Sequence, residues 1–251
     1  MILIRVLLFS LLGWPPASFA DDIRLAVASN FLGPVQAIAR AFERDSGHRV
    51  RISSGSTGKL YAQIVNGAPY DLFLAANDRE PERLDREGRI APGSRYTYAF
   101  GVLVLWAPDA LQETPADELA ASIVAGGQRI AIANPNTAPY GAAAEAVLKA
   151  WGQWDALQGR VIRGENVAQA YQFTASGNVG FGFVALSQML NPNQPPAGRY
   201  WRVDDTLYSP IRQQLVLLKR AADKPAAAAF WQYLKSSATR QQIVAFGYGL
   251  E

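Results

Sequence analysis

The fold is decided by residues 23–76, which read IRLAVASNFLGPVQAIARAFERDSGHRVRISSGSTGKLYAQIVNGAPYDLFLAA. Within this stretch Val35, Ile38 and Phe42 fall on one face of a predicted helix, as an amphipathic surface helix requires. The apolar runs around that helix are short and favour strands. The predicted elements alternate, with strands at 23–28, 49–52 and 72–75 and helices at 32–45 and 60–65. This order predicts a parallel sheet covered by helices on both faces, and hence the α/β class.

The rest of the chain continues the alternation between two longer strands. The run 96–106 places large apolar residues in period-two register and predicts a strand that passes from one lobe into another. Ile211–Leu218 predicts a second long strand, by which the chain returns to the first lobe. The stretch 191–198, rich in Pro and Asn, is interpreted as a surface loop. The remaining predicted elements are strands at 129–133, 160–163 and 179–184 and helices at 142–151, 168–175, 225–235 and 239–245.

The first twenty residues have the features of a secretory signal peptide. Arg5 precedes an apolar run from Val6 to Trp14, and small residues at Ser18 and Ala20 mark a cleavage site. The run is shorter than the roughly 18 apolar residues that a membrane-spanning helix needs. No cysteine follows it that could carry a lipid anchor. We therefore expect residues 1–20 to be removed and the mature protein to be soluble and periplasmic.

The composition excludes several classes of function. The chain has no cysteine and a single histidine, His48, which excludes thiol chemistry, disulfides and Cys-rich or His-rich metal sites. Without the signal peptide, 23 basic and 21 acidic residues remain, and no run of Lys or Arg marks a nucleic-acid surface. The 49% of hydrophobic residues is suited instead to a packed core. We expect no nucleic-acid partner and no metal ligand from a protein side chain.

Four predicted strand ends carry hydroxyl, amide or backbone donors just before a helix begins. In an open α/β sheet, ligands bind beyond the carboxyl ends of the strands. A helix start has unpaired N–H groups and about half a positive charge, so converging helix starts can hold an anion without Lys or Arg. The four turns are Ala28–Phe31, Ser53–Gly58, Asn134–Gly141 and Gly164–Val167. Together they predict an anion site.

The alternative interpretation is that each of these polar residues is only a helix N-cap. Ser, Thr and Asn are the ordinary residues at that position, where the side chain accepts a hydrogen bond from the helix backbone. Four such turns in succession, two in each predicted lobe, favour the anion site without excluding the caps.

At these same turns the sequence resembles the periplasmic molybdate-binding proteins of ABC-type importers. The resemblance covers essentially the whole chain after residue 20. Its most specific motif is YAQIVNGAPYDLF, residues 61–73. It is carried by the segments AVASNFLGPV (26–35), ISSGSTGKLYAQIVNGAPYDLFLAA (52–76), PGSRYTYAFGVLVLW (92–106), IANPNTAPYG (132–141), TASGNVGFGFVAL (174–186) and AFGY (245–248).

The resemblance implies a two-lobed periplasmic-binding-protein fold of type II. Each lobe would be a mainly parallel sheet flanked by helices, and two crossover strands would join the lobes. Lobe I would comprise residues 21–101 and 209–251, and lobe II residues 102–208. The resemblance also implies a monomeric receptor rather than an enzyme, with no catalytic residue and no cofactor.

The resemblance further implies a ligand site between the lobes. Neutral hydrogen-bond donors would hold molybdate or tungstate there, for delivery to the membrane permease of an ABC importer. Some relatives place a ligand-contacting tyrosine where this chain has Ala185, whereas this chain follows the arrangement with Tyr140; some also have serine at the position of Thr57. The implied ligand residues are Ser29, Asn30, Thr57, Tyr140 and the backbone N–H of Val167, with Ser56 assisting.

Two other functions stay open at this stage. A receptor for another tetrahedral oxyanion, such as sulfate, would use the same turns, although the shorter bonds of sulfate would stretch the hydrogen bonds of a site sized for molybdate. A secreted hydrolase would instead use a pair of carboxylates for general acid–base chemistry, either Asp21 with Asp22 or Asp204 with Asp205.

Overall fold

The computed structural model describes residues 21–109, 123–191 and 196–251. The predicted signal peptide and residues 192–195 of the predicted surface loop lie outside this part of the chain. The strands are β1 (Asp22–Ala28), β2 (Arg49–Gly55), β3 (Leu72–Leu74), β4 (Tyr96–Gly101), β5 (Leu103–Ala107), β6 (Ile130–Ala133), β7 (Val161–Gly164), β8 (Phe181–Ala185), β9 (Arg199–Arg202) and β10 (Ile211–Leu217). The helices are α1 (Leu32–Ser46), α2 (Thr57–Val65), α3 (Arg79–Arg86), α4 (Pro139–Ala150), α5 (Trp154–Leu157), α6 (Val167–Ala175), α7 (Leu186–Met189), α8 (Pro225–Leu234) and α9 (Ser237–Ala245).

The strands form two five-stranded sheets, one in each lobe. The strand order is β2-β1-β3-β10-β4 in lobe I and β7-β6-β8-β5-β9 in lobe II. In both sheets the first three strands are mutually parallel, and the remaining two pairings are antiparallel. Four of the five strands in each sheet therefore point the same way. The predicted α/β class and two-lobed architecture are confirmed, with sheets that are mixed rather than purely parallel.

The run 96–106, predicted as one crossing strand, is two strands in different sheets. β4 pairs with β10 in lobe I, whereas β5 pairs with β8 and β9 in lobe II. The break falls at Val102, in the middle of the period-two pattern, so the pattern alone does not show it. The return connection ends at Ile211, which pairs with Gly101. The two connections between the lobes therefore run side by side.

Two helices begin earlier than the apolar pattern predicts. α2 starts at Thr57 rather than at residue 60, and α4 starts at Pro139 rather than at residue 142. Both helices thus start inside the polar turns at the strand ends. The structure also contains α3 and the edge strand β9, which the sequence analysis does not predict.

Each lobe has its own apolar core on both faces of its sheet. In lobe I, α1, α8 and α9 cover one face, where Phe230 and Ile243 are fully buried, and α2 and α3 cover the other. The main cluster of lobe II also includes Ala28 and Ala76, which belong to lobe I. The two lobes are therefore in contact along the floor of the cleft. No helix in the described ranges has both the length and the apolar character needed to span a bilayer.

The start of α4 lies against the end of β6 with no room for a side chain between them. A Cβ atom at Gly141 would stand 2.3 Å from the carbonyl oxygen of Ala133 and 2.7 Å from its carbonyl carbon. Ordinary contacts between such atoms are about 3.5 Å or longer. The glycine is therefore needed for the close approach that places Tyr140 over the end of the sheet.

We expect Gly141→Ala to lower the free energy of unfolding by about 1 to 3 kcal/mol, because overpacking against backbone atoms forces the helix away from the strand. Urea unfolding followed by circular dichroism measures this change. Gly159→Ala is the control, since a Cβ atom there meets no atom within 4 Å, and its effect is expected to stay within about 0.5 kcal/mol. Equal stability of Gly141→Ala and the wild type would contradict the close contact.

Candidate anion site

A small cavity lies between the lobes, where the ends of β1, β2, β6 and β7 meet helix starts. Its space, counted together with the open solvent at its mouth, is about 190 Å³. A larger open cleft of about 940 Å³, counted in the same way, adjoins it and shares Ala76, Ala138 and Pro139. The smaller cavity is distinguished by its lining. Six predicted ligand residues line it, all of them buried: Ser29, Asn30, Ser56, Thr57, Tyr140 and Val167.

The described wall of the cavity contains no charged side chain. Its polar members carry hydroxyl or amide groups, and the others are Ala, Gly, Pro and Val. Two oppositely charged residues lie close in sequence to the cavity residues: Lys59 of lobe I follows Thr57, and Glu165 of lobe II precedes Asn166. Their Nζ and Oε2 atoms are 2.9 Å apart. Both side chains are exposed, and such pairs contribute at most about 1 kcal/mol. Attraction for an anion must therefore come from neutral donors and helix starts.

Ser56 occupies the N-cap position of α2 without capping the helix through its side chain. Its backbone is extended and its carbonyl accepts a hydrogen bond from the amide of Leu60, but its hydroxyl makes no bond to the helix. The hydroxyl oxygen is buried and has no hydrogen-bond partner among the described residues. Burying an unpaired hydroxyl costs about 1 to 3 kcal/mol. Because this hydroxyl lies in the cavity wall, it is placed to donate a hydrogen bond to an oxyanion.

Thr57, the first residue of α2, is oriented by lobe I. Its Oγ1 atom accepts a hydrogen bond from the amide of Ala76 at 3.1 Å. Because that bond uses a lone pair of the oxygen, the hydroxyl hydrogen stays available for a second partner. The side chain lies in the cavity wall, so this hydrogen can be donated to a ligand.

Lobe II contributes the start of α6. Asn166 is a true N-cap there, since its Oδ1 atom accepts a hydrogen bond from the amide of Gln169 at 3.1 Å. The amide of Val167 is the first of the helix and has no intrahelical acceptor. The next amide, that of Ala168, donates across the cleft to the hydroxyl of Ser29 at 3.4 Å. The N-cap interpretation thus holds for Asn166 and fails for the two serines.

The side chain of Asn30 is engaged beneath the cavity rather than in it. Its Nδ2 atom donates to Oε1 of Gln213 and to the hydroxyl of Tyr248, both at 2.9 Å. Any direct contact from Asn30 to a ligand is therefore left to its backbone N–H, which lies in the 3-10 turn Ser29–Phe31.

The hydroxyl of Tyr140 is the lobe II counterpart of the serine and threonine hydroxyls. It accepts a hydrogen bond from Nε2 of Gln213 at 3.4 Å. Burial raises the pKa of this phenol well above its ordinary value of 10.0. The hydroxyl therefore stays protonated at physiological pH and can donate a hydrogen bond.

Direct bonds between the lobes show that the cleft is closed. The amide of Gly58 donates to the carbonyl of Thr137 at 2.9 Å, and the hydroxyl of Ser187 donates to the carbonyl of Asn30 at 2.9 Å. The first bond joins the neighbours of two cavity residues, Thr57 and Ala138, and the second involves the cavity residue Asn30 itself. A ligand in the cavity would be enclosed by both lobes.

The acidic pairs considered for a hydrolase lie away from the cavity. Asp22 pairs with Arg51 at 2.8 Å, and Asp204 accepts hydrogen bonds from Thr206 at the start of a 3-10 turn. Neither lines the cavity. Within the described ranges, no cluster of three or more His, Asp or Glu side chains is arranged to hold a metal ion.

Residues 23–249 match the family of bacterial extracellular solute-binding proteins. The chain belongs to this family.

This solute-binding protein is similar to proteins named for molybdate. It is 46% identical over 236 residues to the molybdate-binding protein of Azotobacter vinelandii, which covers 94% of this chain and 92% of the relative. It is 39% identical over 232 residues to that of Rhodobacter capsulatus, covering 92% and 90%. The solved structure of the Azotobacter vinelandii periplasmic molybdate-binding protein aligns with a TM-score of 0.84 at 42% identity, over 91% of this chain and 99% of that one. The resemblance indicated by the sequence motifs is confirmed, and these relatives are binding proteins rather than enzymes.

Several residues around the site are not predicted from the sequence. Gln213, Tyr98, Tyr248 and Ser187 form a buried polar group next to Asn30. Three of them come from a strand or from the last residues of the chain, where no turn motif marks them. Gln213 stands between Arg212 and Gln214 on β10, so the sequence gives no signal that this glutamine, rather than its neighbours, is fully buried.

We expect the free energy of unfolding to fall above about pH 10, because phenols ionise near that pH in the unfolded chain and at higher pH in the fold. Burial raises the pKa of Tyr98 and Tyr248 as well as that of Tyr140. Their stabilising contribution is complete below pH 10 and is lost as pH rises, by about 1.4 kcal/mol per pH unit for each phenol until its folded pKa is reached.

Urea unfolding at pH 8 and pH 11 measures this loss. Tyr140→Phe is expected to lose about 1 kcal/mol less than the wild type between the two pH values. Tyr200→Phe, which removes the hydroxyl of an exposed tyrosine, is the control and is expected to behave as the wild type. An equal loss in all three proteins would show that Tyr140 does not resist ionisation.

Proposed function

We propose that this protein holds molybdate in the cavity between its lobes and delivers it to the membrane permease of an ABC importer. The observation that carries the proposal is a buried cavity whose wall offers hydroxyl and amide donors from both lobes and no charged side chain. The oxygens of a tetrahedral dianion only accept hydrogen bonds, so such a wall complements them. The names of the relatives from Azotobacter vinelandii and Rhodobacter capsulatus support molybdate as the ligand.

The proposed contacts come from opposite sides of the cleft. A hydrogen bond to a charged group contributes roughly 1.5 to 3 kcal/mol. Five to seven of them would offset desolvation and lobe closure and leave about 8 to 12 kcal/mol, which corresponds to a micromolar to nanomolar Kd. The donors are the hydroxyls of Ser29, Ser56, Thr57 and Tyr140 and the backbone N–H groups of Asn30 and Val167.

The ligand class includes tungstate, which is nearly the same size as molybdate. Sulfate has shorter bonds, so the same donors would reach it only through stretched hydrogen bonds. Hydrogen phosphate carries a proton that needs an acceptor, and none of the proposed contacts is a carboxylate. The proposed order of affinity is molybdate and tungstate first, then sulfate, then phosphate.

Membership in an extracellular solute-binding family indicates that the protein works outside the cytoplasm. We propose more narrowly that it is periplasmic, that residues 1–20 are removed as a signal peptide, and that it acts as a monomer without a nucleic-acid partner. The proposed lobes comprise 21–101 with 209–251, and 102–208. The end of β4 at Gly101 and the start of β10 at Ile211 support these boundaries.

We expect a thousandfold excess of molybdate or tungstate over its Kd to stabilise the protein by about 4 kcal/mol, which for a chain of this size raises Tm by about 8 to 16 °C. Differential scanning fluorimetry with molybdate, tungstate, sulfate, phosphate and buffer alone compares the ligands. Sulfate is expected to give a smaller shift and phosphate none. A shift with sulfate that exceeds the shift with molybdate would replace molybdate by sulfate as the ligand, and no shift with any oxyanion would overturn the proposal.

We expect Ser29→Ala, Ser56→Ala and Thr57→Ala each to weaken molybdate binding by roughly tenfold to a hundredfold, because each removes one donor to a charged ligand. Isothermal titration calorimetry on the purified mature chain measures the affinity. Ser176→Ala is the matched control, since its exposed hydroxyl donates to the carbonyl of Phe173 and accepts from Nδ2 of Asn178, both outside the cavity. Unchanged affinity in the three site variants would refute the assigned contacts while leaving the fold intact.

A further inference from the structure

A chain of buried hydrogen bonds runs beneath the cavity and ends at the hydroxyl of Tyr140. Its central member is Gln213, which has no exposed surface. Oε1 of Gln213 accepts from Nδ2 of Asn30 and from the hydroxyl of Tyr98, both at 2.9 Å. Nε2 of Gln213 donates to the hydroxyl of Tyr140. The chain links residues of lobe I and of the return strand to a ligand residue of lobe II.

The donor and acceptor of each hydrogen bond in this chain follow from one group that can only accept. The backbone carbonyl of Asn30 accepts from the hydroxyl of Tyr248 at 2.8 Å and from that of Ser187 at 2.9 Å. Because the single hydrogen of Tyr248 is used there, its oxygen accepts from Nδ2 of Asn30. The other hydrogen of Nδ2 then goes to Oε1 of Gln213.

The same count of donors and acceptors extends to Tyr140 in the cavity wall. The oxygen of Gln213 accepts from Asn30, and the hydroxyl of Tyr98 lies closer to it, at 2.9 Å, than to its other acceptor, the carbonyl of Ala75, at 3.2 Å. With its oxygen engaged in this way, the amide of Gln213 presents its nitrogen to Tyr140. The hydroxyl of Tyr140 has one hydrogen and, because it already accepts from Gln213, that hydrogen is not needed in the network. The hydroxyl belongs to the cavity wall, so the hydrogen is free to be directed at a ligand.

Two local features make room for this contact. A Cβ atom at Gly101 would stand 2.3 Å from the hydroxyl oxygen of Tyr140 and 2.7 Å from Nε2 of Gln213, so only glycine permits the two groups to meet there. The pairing of β10 with β4 shifts register between Gln213 and Gln214. Such irregularities re-aim side chains, and Gln214 is directed instead at Thr97.

We propose that Gln213 is a positioning residue that makes Tyr140 an obligate hydrogen-bond donor to the bound oxyanion. The inference rests on the proposed function of the cavity and deepens it. With the hydroxyl of Tyr140 held as a donor, that hydroxyl offers no acceptor to a ligand proton. The tyrosine thereby favours fully deprotonated oxyanions, such as molybdate, over hydrogen phosphate.

A double-mutant cycle with Tyr140→Phe tests whether Gln213 acts through the tyrosine. Gln213→Met keeps the size of the side chain and removes both of its hydrogen-bonding ends. In the wild-type background it is expected to weaken molybdate binding about tenfold, since one charge-assisted donor loses its orientation. In the Tyr140→Phe background it is expected to have no further effect, because no hydroxyl remains to be oriented. Calorimetry gives the four affinities.

Selectivity provides the second readout. In Gln213→Met the hydroxyl of Tyr140 can turn and accept the proton of hydrogen phosphate, so the ratio of molybdate to phosphate affinity is expected to fall about tenfold. Competition of phosphate with bound molybdate at pH 7 measures this ratio. A change of packing alone would weaken both ligands together and leave the ratio unchanged.

Two further variants keep the test decisive. Tyr98→Phe removes one of the two donors that hold the amide of Gln213, and serves if Gln213→Met does not fold; it is expected to weaken molybdate binding severalfold, again only when Tyr140 is present. Gln214→Met makes the same substitution at the neighbouring residue, outside the network, and is expected to bind molybdate as the wild type does.

The outcomes separate this inference from the proposed function. If the wild type binds no molybdate, the proposed function fails. If the wild type binds molybdate but the effects of Gln213→Met and Tyr140→Phe are additive, or the selectivity ratio is unchanged, the role of Gln213 fails alone. Tighter molybdate binding by Gln213→Met would show the reverse order of the hydrogen bonds, with Tyr140 donating to Gln213, and would also overturn the inference.

Discussion

An anion taken out of water must regain inside the protein the hydrogen bonds that it leaves behind. In the part of the cavity wall that the structure describes, the groups placed to supply them are neutral: hydroxyls and backbone amides at helix starts from both lobes. A cationic side chain would attract many anions. Fixed neutral donors bind strongly only to a ligand whose oxygens lie where the donors point. The positions of the strand ends, the early start of α2 at Thr57 and the close packing of Gly141 on β6 all serve that geometry.

The donors are held in place by further polar contacts within the protein. Thr57 is oriented by the amide of Ala76, α6 is capped by Asn166, and Tyr140 is oriented by Gln213. In two of these contacts the hydroxyl oxygen of Thr57 or Tyr140 accepts a hydrogen bond, so the hydroxyl hydrogen stays available for the ligand. In the third, the side chain of Asn166 accepts from an amide of the helix. A buried network of this kind stabilises one arrangement only when all its members are satisfied. The hydroxyl of Ser56 differs from these groups, since it lies in the cavity wall and has no hydrogen-bond partner among the described residues.

The sequence alone predicts most of this fold, because the parallel strands are apolar runs and the helices between them have one apolar face. It misses α3, where Leu84 is the only buried large apolar side chain in a segment otherwise dominated by charges. It also misses β9, which begins and ends with an exposed Arg at the edge of the sheet. All six candidate ligand residues are predicted from the turns and the resemblance, and the structure brings them to one cavity. The direction of the Asn30 side chain and the role of Gln213 are not predictable, since both depend on contacts between residues about 180 positions apart.

Two alanines of lobe I lie at the floor of the cleft. Ala28 and Ala76 join the apolar cluster of lobe II, and each methyl group hides little surface, at about 25 cal/mol for every Å² removed from water. Separating the lobes at these two residues therefore exposes little apolar area, and the exposed Lys59–Glu165 pair adds little resistance. The polar bonds across the cleft, such as those from Gly58 to Thr137 and from Ser187 to Asn30, hold the closed arrangement instead. Water can replace such bonds when the lobes part, so a ligand that binds groups of both lobes would shift the balance towards the closed form.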